Sequence, residues 1–265
     1  MNQVKIISGL SIAALLIWAG GFGLTISHEF LQPQQSPPAK SPAKAKEDKK
    51  EESGYNIVGL GDSLTRGLGD SSGKGYTGYL LDHLKEKTKE KVTLTNLAVS
   101  GMTSPQLKQQ LKLEEVKRQV QNADAIVMTI GGNDLFNGGE VMNDLSEKSI
   151  KATRTAFMQR LSAIFGELTK LNPKAKIFYV SLYNPFSDLE SSKQTSSIVR
   201  EWNFYSADEA AKYKNIISVP TYDLFEQNVN DYLYSDKFHP NKEGYQLIGE
   251  RLSSLITFSR GGSST

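Results

Sequence analysis

Four short blocks of the 265-residue chain hold side chains that can do chemistry: Gly61-Asp62-Ser63-Leu64, Asn96-Leu97-Ala98-Val99-Ser100-Gly101, Gly131-Gly132-Asn133-Asp134 and Asp236-Lys237-Phe238-His239-Pro240. A serine hydroxyl is a weak nucleophile until a neighbouring base removes its proton. The chain has three histidines from which to draw that base. His28 abuts an apolar run, and His83 falls inside a predicted helix, on its solvated side. His239 is left, with Asp236 three residues before it. A carboxylate that holds an imidazole in one tautomer is what a general base near neutral pH requires. Ser63 is thus the candidate nucleophile, His239 the candidate base and Asp236 its partner. Each block also has an ordinary reading. Gly-Asp-Ser is a common turn and helix cap, Gly-Gly-Asn-Asp a common turn, Gly101 a turn glycine with positive φ, and Asp236 with His239 a capped surface turn.

The elements around the blocks bring them to one place. Apolar, β-branched runs predict strands at Asn56–Leu60, Val92–Val99, Ala125–Ile130, Lys176–Leu182 and Ile216–Val219. Continuously apolar runs of this kind suit parallel strands buried on both faces. Between them Phe157, Leu161, Ile164, Phe165, Leu168 and Leu171 recur at helical spacing until Asn172-Pro173. Ser104-Pro105 reads as an N-cap followed by proline in the first turn. Tyr245, Ile248, Leu252, Leu255 and Ile256 form the stripe of a closing helix. Five strands alternating with helices predict a doubly wound, three-layer α/β/α sandwich on a parallel sheet. Ligands of such sheets bind beyond the carboxyl ends of the strands, where the first three blocks fall; the fourth precedes the last helix.

Taken together and in this order, the blocks resemble the SGNH subgroup of the GDSL hydrolases, over Tyr55 to about Phe258. The resemblance implies a flavodoxin-like fold and hydrolysis of acyl or O-acetyl esters, sometimes thioesters, through an acyl-enzyme, lipase- or lysophospholipase-like or acting on carbohydrate esters. It implies Ser63 as nucleophile, His239 as base and Asp236 as the residue that orients it. It further implies an oxyanion hole made of the Ser63 N–H, the Gly101 N–H and the Asn133 side-chain amide. Ala98 departs from the second glycine that many members carry, at a position with no catalytic role. No cofactor and no metal is implied. The order Ser…Asp…His matches that of α/β-hydrolases, but a Gly-x-Ser-x-Gly elbow is missing.

Other readings fit less well. Gly59-Leu60-Gly61-Asp62-Ser63-Leu64 has leucine where a dinucleotide loop needs its third glycine, and Leu68 and Gly75 break a phosphate-loop pattern. Asp62, Asp134, Asp236 and His239 could be imagined around two metals, but such sites usually draw on several histidines. A binding module derived from a hydrolase would not need every reactive residue in place. Lysine and arginine number 31 against 29 acidic residues, a net charge of +2 that suits nucleic acid poorly. Cysteine is absent, which excludes disulfides and thiolate chemistry.

The uncharged, mostly apolar run from Ile6 to Ser27 is long enough to cross a bilayer as a helix. We read residues 1–30 as an uncleaved signal anchor, 31–53 as a disordered linker rich in Pro, Lys and Glu, and 54–265 as the hydrolase domain. The lysines that follow the run favour a cytoplasmic domain by the positive-inside count. The whole arrangement resembles the export anchors of bacterial surface enzymes and favours the outside, as a single-pass membrane protein. The segments 136–149 and 183–195 leave strand ends without strong periodicity, so Leu135, Phe136, Tyr183 and Phe186 are candidates for the substrate pocket. The expected partners are an ester of a small molecule, lipid or polysaccharide, and a membrane through the N-terminal segment.

Overall fold

A computed structural model describes residues 54–258. Its frame is five parallel strands, β1 (Tyr55–Gly61), β2 (Val92–Asn96), β3 (Ala125–Thr129), β4 (Lys176–Val180) and β5 (Ile216–Val219), in the order β2-β1-β3-β4-β5. In register, Ile57 lies beside Leu94 on one side and Ala125 on the other. The helices are α1 (Ser63–Arg66), α2 (Gly75–Lys87), α3 (Ser104–Gln110), α4 (Glu114–Gln121), α5 (Gly132–Phe136), α6 (Glu147–Leu171), α7 (Ser192–Ala211), α8 (Tyr222–Phe225), α9 (Val229–Tyr232) and α10 (Lys242–Leu255).

Alternation along the strands makes the layers. Val58, Leu60, Ile126, Met128, Ile177 and Tyr179 pack against Leu107, Val120, Phe157, Leu161, Phe165 and Trp202 of α3, α4, α6 and α7. Ile57, Ala125, Val127, Phe178 and Val180 pack against Tyr76, Leu80, Leu84, Tyr245, Ile248 and Leu252 of α2 and α10. Successive strand residues point to opposite faces, so a run apolar at every position serves both layers. This is the three-layer α/β/α sandwich expected from the sequence.

Several boundaries differ from expectation: β1 runs Tyr55–Gly61, one residue longer at each end, while β3 stops at Thr129 and β4 at Val180. β2 ends at Asn96, not Val99, although the Leu97 and Val99 N–H groups still bond the Gly59 and Gly61 carbonyls at 2.8 and 2.9 Å; the Ala98 N–H between them goes to the Asn96 carboxamide oxygen at 3.1 Å. Thr103, not Ser104, is the N-cap of α3, and Gln106 Oε1 accepts its backbone N–H at 2.8 Å. The Ser104 hydroxyl is drawn away to Asp134. Among the described residues no helix is long and apolar enough to cross a membrane. The Ile6–Ser27 anchor and the 31–53 linker lie outside the described residues.

Candidate active site

The first strand delivers Ser63 through a turn that only glycine makes readily. Gly61 has φ +108°, and a Cβ there would lie 1.7 Å from the Thr129 carbonyl oxygen. Asp62 then caps α1, its Oδ1 accepting the Leu64 N–H at 3.1 Å and the Thr129 hydroxyl at 2.6 Å. Behind it, Thr65 Oγ1 lies 2.7 Å from Thr129 Oγ1 and 2.6 Å from the Tyr76 hydroxyl. This buried run of hydroxyls fixes the start of α1. Burial raises the Asp62 carboxyl above its ordinary range, against the opposing bonds from Thr129 and Leu64.

Ser63 opens α1, where backbone N–H groups have no intrahelical acceptor. Its Oγ is 2.8 Å from His239 Nε2, and His239 Nδ1 is 2.7 Å from Asp236 Oδ2. With a carboxylate at Nδ1, the imidazole proton belongs there, and Nε2 is left to accept from the serine hydroxyl. The other Asp236 oxygen accepts the backbone N–H groups of Phe238 and His239, both at 2.9 Å. Partial burial pushes the Asp236 carboxyl up, but the His239 ring and the two backbone donors outweigh it and hold the group below its ordinary range. The turn costs backbone strain, with Lys237 at φ +57°. It is secured by the backbone bond from Tyr234 N–H to the His239 carbonyl at 2.8 Å, and by the Tyr183 hydroxyl donating to the Phe238 carbonyl.

Gly101 and Asn133 reach the same cleft as Ser63 and His239. Gly101 has φ +77° with open space where a Cβ would be, so the backbone, not crowding, calls for glycine. Asn133 donates one amide hydrogen to the Met102 carbonyl at 2.9 Å. The carboxamide has a second hydrogen for the cleft. An amide with a hydrogen to spare, in the same cleft as a hydroxyl hydrogen-bonded to an imidazole, is of the type that can hold the negative charge of a tetrahedral intermediate.

The model of the GDSL-like lipase/acylhydrolase family matches residues 60–247. The chain belongs to that family. As a GDSL-type hydrolase it acts on esters. It is 36% identical over 205 residues to YpmR, an uncharacterized protein of Bacillus subtilis, covering 76% of this chain and 80% of that one. It is 28% identical over 200 residues to the spore germination lipase LipC of Bacillus licheniformis, covering 73% and 92%. Among solved structures it is similar to the lipase Lip_vut3 from a goat rumen metagenome, with a TM-score of 0.69 at 24% identity over 76% of this chain and 96% of that one. It is also similar to the acetylxylan esterase Axe2 of Geobacillus stearothermophilus, with a TM-score of 0.61 at 19% identity over 79% and 97%. At these identities the structural likeness speaks for the fold.

The cleft of this GDSL-type hydrolase has a volume of about 630 Å³. Leu68, Pro185, Phe186, Leu189 and Phe238 form its apolar wall, with Asp188 and Lys237 at hand. Of the four residues expected in the pocket, Phe186 lines it. Leu135 and Phe136 are instead buried in the core, Phe136 edge-on to Phe186 and Phe238 at 5.4 and 5.7 Å. Tyr183 is also buried, stacked on Phe225 at 4.2 Å. Phe136 and Tyr183 back the wall, Phe136 against the Phe186 and Phe238 rings and Tyr183 through its hydroxyl on the Phe238 carbonyl, because a large aromatic side chain gains most by filling the core; Leu135 packs in the core itself. Leu68, Pro185, Leu189 and Phe238 line the cleft without having been singled out from the sequence. Phe238 was within reach, since it directly precedes His239. His83 lies on α2 in a separate groove with Tyr79 and Glu86. Among the described residues no group of three or more His, Asp or Glu side chains is arranged to hold a metal ion.

Proposed function

We propose that this chain is a serine esterase that cleaves esters of aliphatic acyl chains through an acyl-enzyme. Ser63 Oγ attacks the ester carbonyl carbon while His239 Nε2 takes its proton. The carbonyl oxygen becomes an oxyanion facing the Ser63 and Gly101 N–H groups and the Asn133 amide. His239 returns the proton to the departing alkoxide and the acyl group stays on Ser63. Water then repeats the sequence and releases the acid. Asp236 stays ionised and holds the imidazolium. The observation that carries this reading is the unbroken hydrogen-bonded chain Ser63–His239–Asp236 at the floor of an apolar cleft.

The apolar wall favours a lipid acyl chain over the O-acetyl group of a polysaccharide. Relatives of both kinds exist, a spore germination lipase and an acetylxylan esterase. The Ile6–Ser27 run suits a bacterial signal anchor with the domain outside the cell, near the lipids it would cleave. The test is labelling with a fluorophosphonate and hydrolysis of p-nitrophenyl butyrate. Ser63→Ala should lose both and keep its fold. Undiminished turnover in folded Ser63→Ala would sink the reading.

A further inference from the structure

Beside the oxyanion hole lies a polar cluster with no part in the reaction sequence above. The Asp134 side chain is only 3% exposed. Its Oδ2 accepts the Ser104 N–H at 2.8 Å, and its Oδ1 accepts the Ser104 hydroxyl at 2.5 Å. Arg160, on α6, donates from Nη2 to Asp134 Oδ1 at 3.2 Å and from Nε to Ser104 Oγ at 2.7 Å. The three side chains close a ring in which each satisfies the other two. Ser104 itself is fully buried. Taking a carboxylate out of water costs several kcal/mol unless it is paired and fully bonded, so such a cluster earns its place only by stability or by placement.

Its position speaks for placement. Asp134 is the neighbour of Asn133, and Ser104 stands three residues after Gly101. The two loops that carry the oxyanion donors are therefore tied twice, by the Asn133 amide to the Met102 carbonyl and by the carboxylate of Asp134 to Ser104. On its other side the Gly101 loop is held by main-chain bonds, Val99 N–H to the Gly61 carbonyl and Met102 N–H to the Val99 carbonyl. The cross-tie sets how far the Gly101 N–H stands from the Asn133 amide. We infer that Asp134, Ser104 and Arg160 form a clamp that positions the oxyanion hole; the inference rests on the roles proposed for Gly101 and Asn133. They are positioning residues and touch no reacting atom. Arginine is required because its rigid fork reaches the serine oxygen and the carboxylate together, which a lysine ammonium does not.

The clamp acts on the transition state, so its loss lowers kcat and spares KM. Displacing a donor by about 1 Å can cost on the order of 100-fold. In Ser104→Ala and Arg160→Met, kcat for p-nitrophenyl butyrate should fall by roughly 10- to 100-fold with KM within about 3-fold. Arg160→Lys should not restore it. The distinguishing measurement is a cycle with Asn133→Ala. If the clamp works through the hole, either change should cost less than about 3-fold more once the Asn133 amide is gone, because residues acting as a unit are not additive. A merely structural cluster would lower kcat by the same factor in both backgrounds, and that result overturns the clamp. So does parent-like kcat in folded Ser104→Ala and Arg160→Met while Asn133→Ala shows its full loss. Parent-like kcat in Asn133→Ala would instead remove the proposed hole, and the clamp with it.

Discussion

The wall of Phe186, Leu189 and Leu68 makes acyl-chain length the most informative variable for this enzyme. Leu68 and Leu189 remain 47% and 45% exposed, so a chain lying on them is covered on one side only. A fully buried methylene contributes about 0.8 kcal/mol, and half of that, about 0.4 kcal/mol, is a fair value for an open wall. Each added methylene should then raise kcat/KM about 2-fold, and the six between acetate and octanoate about 60-fold. The assay is kcat/KM for p-nitrophenyl esters of increasing length, each below its micellar concentration. Phe186 is the perturbation, since it lines the cleft and is held edge-on by Phe136 at 5.4 Å. Phe186→Ala should lower the octanoate-to-acetate ratio by roughly 10-fold, the scale of one or two lost hydrophobic contacts in a pocket, and leave acetate turnover nearly unchanged. A parent enzyme that prefers acetate, or a Phe186→Ala variant with an unaltered ratio, would refute the assignment of this wall to an aliphatic chain.

Three other outcomes follow from the same geometry. Asn133→Ala should lower kcat by roughly 10²–10³ with little change in KM, and Asn133→Asp at least as much, because a carboxylate cannot donate and repels the oxyanion; steady-state kinetics with and without EDTA check this, and activity retained in Asn133→Asp but lost to the chelator would contradict it. The Asp236 carboxyl is held below its ordinary range, so its contribution to stability is present above the unfolded value of about 4 and is lost as pH falls through the lower, folded value. Urea midpoints should accordingly lose more on acidification in the parent than in Asp236→Asn, by a small margin because the side chain is 37% exposed; the same variant should lose activity strongly at neutral pH through the wrong imidazole tautomer. For the proposed anchor, protease added to intact protoplasts should release active domain by cutting between Gln32 and Ser53, and protection until lysis would place the domain inside.

The parts of this site that were legible in the sequence are those fixed by backbone chemistry. Strand ends announce themselves by the switch from apolar residues to Gly61-Asp62, Gly101 and Gly131-Gly132, and parallel topology puts those ends on one edge. Histidine scarcity then singled out His239. The wall was harder to read. Leu135, Phe136 and Tyr183 leave strand ends just as Phe186 does, but whether an aromatic faces a cleft or fills the core behind it depends on packing that periodicity does not encode. Arg160 was invisible for another reason. It lies on a long helix whose other residues read as an ordinary amphipathic stripe, and nothing local marks the one polar side chain that reaches a buried carboxylate on another element.

The two halves of the site are held by different means, and this follows from strand order. β1 lies between β2 and β3, so Ser63, Gly101 and Asn133 come from three adjacent strand ends. The nucleophile and the donors are thereby set by sheet hydrogen bonds, with Val99 N–H to the Gly61 carbonyl and Asp62 N–H to the Thr129 carbonyl continuing the ladder past the strands. His239 has no strand of its own. It arrives on a segment beyond β5, fixed by one isolated bridge between Leu233 and Pro240, by the carboxylate of Asp236 folding back on its own turn, and by the Tyr183 hydroxyl donating to the Phe238 carbonyl. The base therefore depends on its own turn and on one side-chain tie from Tyr183, while the oxyanion donors depend on the sheet and on ties between neighbouring loops. Changes near residues 233–240 should act chiefly on proton transfer, and changes near 99–104 or 131–134 chiefly on oxyanion stabilisation.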